Sequence, residues 1–150
     1  MVKFAVDPAA ADTYKALKTK RKHKFITFLC DDSKSEIRIA DAGPKKGTLD
    51  DLAAVLTETQ PRFIVYDHEY KTSDGRSTDK LYLIAYIPAS AHAKEKMLYT
   101  SQKISLKEVL GGGLFDMNVT SVGEIAAELK ANDGGGDDDE DEDEMSDFDF

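Results

Sequence analysis

The stretches Phe63-Ile64-Val65-Tyr66 and Leu81-Tyr82-Leu83-Ile84-Ala85-Tyr86-Ile87, with Ser73-Asp74-Gly75-Arg76 between them, decide the fold. Each apolar run is rich in β-branched and aromatic residues and reads as a strand. The Asp-Gly pair supplies turn chemistry, so the two runs predict a long antiparallel hairpin. Pro61 ends the element before it, and Pro88 stops its second strand. Towards the N-terminus, Phe25-Ile26-Thr27-Phe28-Leu29-Cys30 reads as a buried strand. The turn Asp31-Asp32-Ser33-Lys34 leads to Glu36-Ile37-Arg38-Ile39, which alternates as a half-buried strand should.

Helices flank these strands. Asp7-Pro8 opens one, with Asp as cap and Pro at the first helical position; Tyr14 and Leu17 share its face. Gly43-Pro44-Lys45-Lys46-Gly47 is a loop. Thr48 and Asp51 then have capping-box spacing before Leu49, Leu52, Ala53 and Leu56. Beyond Pro88, Ser90 is a candidate cap for a helix through Ala91, Lys94, Met97 and Leu98. Ser105 to Leu110 continues helically with Leu106, Val109 and Leu110 as its apolar face, until Gly111-Gly112-Gly113 breaks it. Leu114 to Val119 reads as a short strand. Ser121 and Glu124 have capping-box spacing before a last helix on Val122, Ile125, Ala126 and Leu129, which Asn132 and the glycines 134 to 136 terminate. The order α-β-β-α-β-β-α-α-β-α predicts an α/β (α+β) domain, with a mostly antiparallel central sheet covered by helices.

The 150 residues suffice for one domain with a core. The net charge of −9 divides unevenly along the chain. Residues 133 to 150 hold eleven acids and no Lys or Arg, which leaves 18 acids against 20 bases in residues 1 to 132. A mildly basic domain over 1–132 and an acidic, disordered tail over 133–150 are therefore expected. No apolar run approaches the roughly 18 residues of a membrane helix, and the N-terminus lacks the apolar core of a secretory signal. Cys30 is the single cysteine, so no intramolecular disulfide is available. It reads as a small buried hydrophobe in a reducing, intracellular setting. His23, His68 and His92 show no metal spacing, and no Gly-rich loop opens a helix for phosphate, so neither an enzyme nor a cofactor is indicated. The basic stretch Lys18 to Lys24 is too short to argue for nucleic acid, and the tail would repel phosphate.

The strands Lys24 to Phe28, Phe63 to Tyr70 and Lys80 to Pro88 resemble those of an actin-depolymerising-factor homology domain. Lys94-Glu95-Lys96-Met97-Leu98-Tyr99-Thr100-Ser101 resembles the long-helix signature of the cofilin family, basic-x-Lys-Met-x-Tyr-x-Ser. The resemblance covers about residues 5 to 131. It implies a mixed five- or six-stranded sheet between helices, and no enzymatic activity. It also implies binding to actin monomers and filaments, depolymerisation and severing of filaments, action as a monomer, and a place in the cytoplasmic actin cytoskeleton. Lys94, Lys96 and Met97 match the monomer-binding surface; Lys80 matches a basic position of the filament surface. Periodicity alone would leave both helix lysines as a solvated face and Met97 as core.

The sequence also departs from the family pattern. The family's early serine, a phosphorylation switch, has no counterpart before Ser33. Thr78 stands where a second filament-contact base is usual, with Arg76 and Lys71 as substitutes. The last helix offers Glu128 and Lys130 where several bases are usual. Lys20, Arg21 and Lys22 lie in the basic stretch, which reads as a solvated helix end, as a phosphoinositide site as in the family, or as a weak nuclear signal. Gln60 to Tyr66 and Asp74-Gly75-Arg76 also resemble a sister branch, the glia maturation factors, which bind the actin-related branching complex. Lys94 and Lys96 before Met97 favour cofilin. The tail reads either as a solubilising extension or as a pseudo-ligand for the basic face, with Ser146 as a candidate phosphorylation site among the acids.

Overall fold

The computed structural model describes residues 3–20, 22–44 and 46–135. Arg21 and residues 136–150 lie outside them, so the expectations for that basic residue and for most of the acidic segment fall outside as well. The elements are β1 (Ala5–Val6), α1 (Pro8–Lys20), β2 (Phe25–Asp31), β3 (Glu36–Ala42), α2 (Leu49–Val55), β4 (Arg62–Lys71), β5 (Ser77–Tyr86), α3 (Ala93–Leu110), β6 (Phe115–Val119) and α4 (Val122–Gly135).

The six strands form one sheet in the order β1-β3-β2-β4-β5-β6. Its centre is antiparallel, through β3-β2, β2-β4 and β4-β5; its two edges, β1 on β3 and β6 on β5, are parallel. This is the mixed sheet expected, with both predicted hairpins present. Strand alternation then sorts the apolar side chains into two cores. Ile26, Phe28, Phe63, Val65, Leu83 and Ala85 point to a first face under α1 and α3. Phe25, Ile64, Tyr66, Tyr82, Ile84 and Tyr86 point to a second face under α2 and α4. Cover on both faces explains why the central strands read as unbroken apolar runs.

Local chemistry fixes several ends. Asp7 Oδ1 accepts from the Ala9 amide at 3.0 Å and caps α1. Thr48 and Asp51 form the reciprocal box at α2, with the Thr48 amide donating to Asp51 Oδ2 at 2.9 Å and the Asp51 amide to Thr48 Oγ1 at 3.3 Å. Such a cap is worth about 1 kcal/mol. At α4 the Glu124 amide donates to Ser121 Oγ at 3.3 Å, and the Glu124 carboxylate accepts from the Thr120 amide and hydroxyl. Gly43 lies against the Phe25 ring, where an added Cβ would sit 2.4 Å from a ring carbon. Gly75 takes φ 87° at the tip of the β4-β5 hairpin.

Several sequence expectations change. The two helical stretches after Pro88 are one helix, α3, with 18 residues. Nothing between Leu98 and Ser105 breaks it, since Thr100 and Ser101 turn their hydroxyls back to the carbonyls of Lys96 and Leu98. Ser90 does not cap it. The N-cap is His92, without a side-chain hydrogen bond, and Ser90 Oγ donates to the Glu58 carbonyl instead. Val109 is 46% exposed and is not part of the buried face, which runs through Tyr99, Gln102, Leu106 and Leu110. Ala126 is likewise exposed. The two hairpin strands extend to ten residues each. β1 was not anticipated, because two residues carry no periodicity; backbone bonds from Ala5 to Ser35 and from Asp7 to Ile37 hold it. α4 runs on to Gly135, past Asn132. Helix ends fray, and composition places them only to within a residue or two.

Candidate functional site

α3 is pinned from below. The Tyr99 ring packs on Phe63 with centroids 5.2 Å apart, and its hydroxyl accepts from the Cys30 amide at 2.9 Å. That amide lies past Phe28, where β2 stops pairing with β4, so the tyrosine satisfies a donor the sheet leaves unmatched. Gln102, also buried, accepts from the Phe4 amide at 2.8 Å and ties the N-terminal segment to the helix. Burial pushes the Cys30 thiol up to about 12, partly offset by Arg62, so it stays a neutral packing group.

With Tyr99 and Gln102 facing inward, the opposite side of α3 faces solvent. Met97 is 64% exposed and Ile104 is 67% exposed. At about 100° per residue, seven residues bring these two within about 20° of each other, with Lys94 about 60° to one side. Lys94 Nζ lies 3.6 Å from the Asp32 carboxylate at the β2-β3 turn. Both side chains are well exposed, so this pair is weak and available for exchange with another anion. Lys96 stands about 100° from Met97, and its Nζ donates to the Ala89 carbonyl at 2.6 Å. It braces the entry to α3, so the structure brings Lys94 and Met97 together and sets Lys96 to one side. Ile104 was missed in the sequence. Its position seven after Met97 was the available signal.

The β4-β5 hairpin carries a second surface. His68 pairs with Lys80 and Tyr70 with Thr78 in the ladder. By alternation these four share the second face with Tyr66 and Tyr82, whereas Glu69 and Asp79 turn to the first. Lys80 Nζ sits 5.1 Å from the ring centroids of both Tyr70 and Phe115, within cation–π range. His68 stacks on Tyr66 at 6.3 Å and on Tyr70 at 5.9 Å. Lys24 lies over the Tyr66 ring at 5.3 Å and 4.0 Å from Glu69. Burial pushes the Tyr66 hydroxyl up to about 12, with Asp67 and Glu69 adding to the rise, so the ring stays neutral under the lysine. Phe115 is 50% exposed and was not singled out in the sequence. Arg76 lies at the hairpin tip, just before β5, with its guanidinium 2.8 Å from the Asp74 carboxylate.

A third set of charges joins α3 to β6. Asp116 accepts from Lys107 at 2.8 Å and lies 3.6 Å from Lys103. The Lys107 hydrogen bond, reinforced by both ammonium charges, holds the Asp116 carboxyl below its usual range although partial burial opposes this. Lys103 is also depressed, because its burial outweighs the attraction to Asp116. Lys20 and Lys22 are exposed around the end of α1. Among the described residues no cluster of His, Cys, Asp or Glu could hold a metal, and no helix is long and apolar enough to cross a membrane.

The family model of cofilin/tropomyosin-type actin-binding proteins matches residues 3–131. The actin-depolymerizing factor of Vitis vinifera is 30% identical over 118 residues, which cover 79% of this chain and 82% of that protein. Actophorin of Acanthamoeba castellanii is 30% identical over 125 residues, 83% of this chain and 90% of its own. The crystal structure of Streptomyces griseoflavus cofilin matches with TM-score 0.77 at 30% identity, covering 89% of this chain and 98% of that one. Plasmodium berghei actin depolymerization factor 2 matches with TM-score 0.78 at 27% identity over the same shares. The sheet between four helices, the exposed stripe of α3 and a match along nearly all the described residues agree: the chain belongs to the cofilin/actin-depolymerising-factor family of actin-binding proteins, which are not enzymes.

Proposed function

We propose that the outward stripe of α3 seats this protein on an actin monomer, with Met97 and Ile104 as apolar anchors and Lys94 as the charged contact at their edge. The observation that carries this reading is the exposure of Met97 and Ile104 on one side of a helix whose other side is fixed by Tyr99 and Gln102. An amphipathic helix with an outward apolar stripe is suited to a hydrophobic cleft. Lys96 contributes by holding the helix entry, and its charge serves the rim.

The hairpin face with Lys80 is the second contact, made to the neighbouring subunit of a filament, with Arg76 at its tip. Engagement of both surfaces lets the protein bind filaments as well as monomers and promote their depolymerisation and severing. Thr78 brings no charge to that face, so filament binding is weaker than monomer binding. The protein works as a monomer in the cytoplasmic actin cytoskeleton. Residues 1–132 form the binding domain, and residues 133–150 form an acidic tail. Lys20, Arg21 and Lys22 are the candidate phosphoinositide contacts and a candidate nuclear signal.

The test is binding to ADP-actin monomers together with filament cosedimentation and a pyrene-actin disassembly assay. Lys94→Ala with Lys96→Ala should weaken monomer binding, each lost charge-assisted contact being worth about 1.5–3 kcal/mol. Lys80→Ala should weaken cosedimentation and leave monomer binding nearly unaltered. Equal loss of both activities in the Lys80 variant would overturn the two-surface reading. Binding to the actin-related branching complex, with none to actin, would replace it with that of the glia maturation factors.

A further inference from the structure

The second face of the hairpin combines a cation held over two rings with an exposed phenylalanine, and the described residues leave it open to solvent at Phe115. Its position relative to the end of α4 suggests what covers it. β6 ends at Val119 beside Tyr86, and Thr120 and Ser121 lead directly into α4. α4 packs back onto β4 and β6 through Ile125 and Leu129 in the second core. Its 14 residues make it about 21 Å long, whereas β6 from Val119 back to Phe115 spans about 13 Å. α4 therefore runs back past the Phe115 end of β6, towards the level of Lys80 on β5. The stripe of Met97 and Ile104 lies across the sheet, on the outer side of α3.

The residues after Gly135 complement that face. Asp137 to Glu144 are eight consecutive acids, and Phe148 and Phe150 come after them among further acids. The acids suit Lys80, and the two rings suit Tyr70 and Phe115. A random coil of about fourteen residues has an r.m.s. end-to-end distance of about 20 Å, and a tether of that length corresponds to an effective concentration of about millimolar. A weak contact is then enough for substantial occupancy.

We propose that residues 137–150 of this chain dock on the Lys80–Tyr70–Phe115 face and occupy it when no filament does, leaving the α3 stripe uncovered. The contact itself does not depend on the actin reading. Its consequence does: the tail then acts as a pseudo-ligand that restrains filament binding and spares monomer binding.

The test is solution NMR of the full-length protein without actin. It is compared with a full-length variant in which the eight acids are changed to their amides, Asp→Asn and Glu→Gln. At about 50 mM salt the signals of Tyr70, Lys80 and Phe115 should differ between the two proteins, and the difference should fade towards 0.5 M, where screening is within about 4 Å. Met97 and Ile104 should give the same signals in both. Identical hairpin signals at low salt would overturn the proposal, as would differences centred on Met97 and Ile104. Differences that grow with protein concentration would also overturn it, assigning the contact to the tail of a second copy. In cosedimentation at low salt, the amide variant should bind filaments more tightly at equal monomer affinity. Hairpin shifts with no filament binding by either protein would uphold the tail contact while refuting the filament reading of the face.

Discussion

Tyr99 shows how far a single residue can be read. Its place in the helix signature marks it as important in the sequence, but not as the residue that faces the core. The structure makes it the anchor between α3 and β2, through the Phe63 ring and the Cys30 amide. Tyr99→Phe keeps the ring contact and removes the acceptor. Leaving that amide without a partner should cost about 1–3 kcal/mol, read as a lower midpoint in urea unfolding. An unchanged midpoint would mean that the hydroxyl does not hold the helix. Asp116 makes a pH-dependent contribution of definite sign. Its folded carboxyl titrates below the unfolded value of about 3.9. The stabilisation is therefore fully present above that value and is lost as pH falls through the lower folded one. Asp116→Asn should flatten the fall in melting temperature below about pH 4. An unaltered acid limb would show that Lys103 and Lys107 do not act through this carboxylate. None of this was visible in the sequence, because the three residues meet only when the strand alternation of β6 turns Asp116 towards α3.

At the scale of elements, legibility followed periodicity. The strands around Phe28, Val65 and Leu83 and the box at Thr48 could be read because side-chain period and cap chemistry are local. The start of α3 and the whole of β1 depended on contacts distant in sequence, whereas α3 ends at Leu110, where the glycines from Gly111 place its stop. Ser90 has the chemistry of a cap, yet its hydroxyl serves Glu58, and the helix starts later, at Ala93 after the N-cap His92. Met97 illustrates the ambiguity of an apolar residue on a helix. Spacing alone allowed core or surface, and the resemblance chose surface, which its 64% exposure supports. Lys96 was grouped with Lys94 by the signature, but the structure gives it a bond to Ala89. Phe115 and Ile104 were legible only in part, because exposure of a large apolar side chain is a tertiary property.

At the scale of the molecule, the sheet separates two surfaces. α3 rides on one face with its apolar stripe outward, while the hairpin presents Lys80 and its rings on the other, near the end of α4. This division makes independent monomer and filament contacts geometrically reasonable. The most direct check of the α3 surface is the affinity of the full-length Met97→Ser/Ile104→Ser variant for fluorescently labelled ADP-actin monomers. Both side chains are exposed in the free protein, so the melting temperature should stay close to the parent. Each apolar anchor lost from a cleft should cost about 1.5–3 kcal/mol, raising Kd by about tenfold or more per residue. An unchanged Kd in a variant that folds normally would contradict the assignment of the α3 stripe to actin.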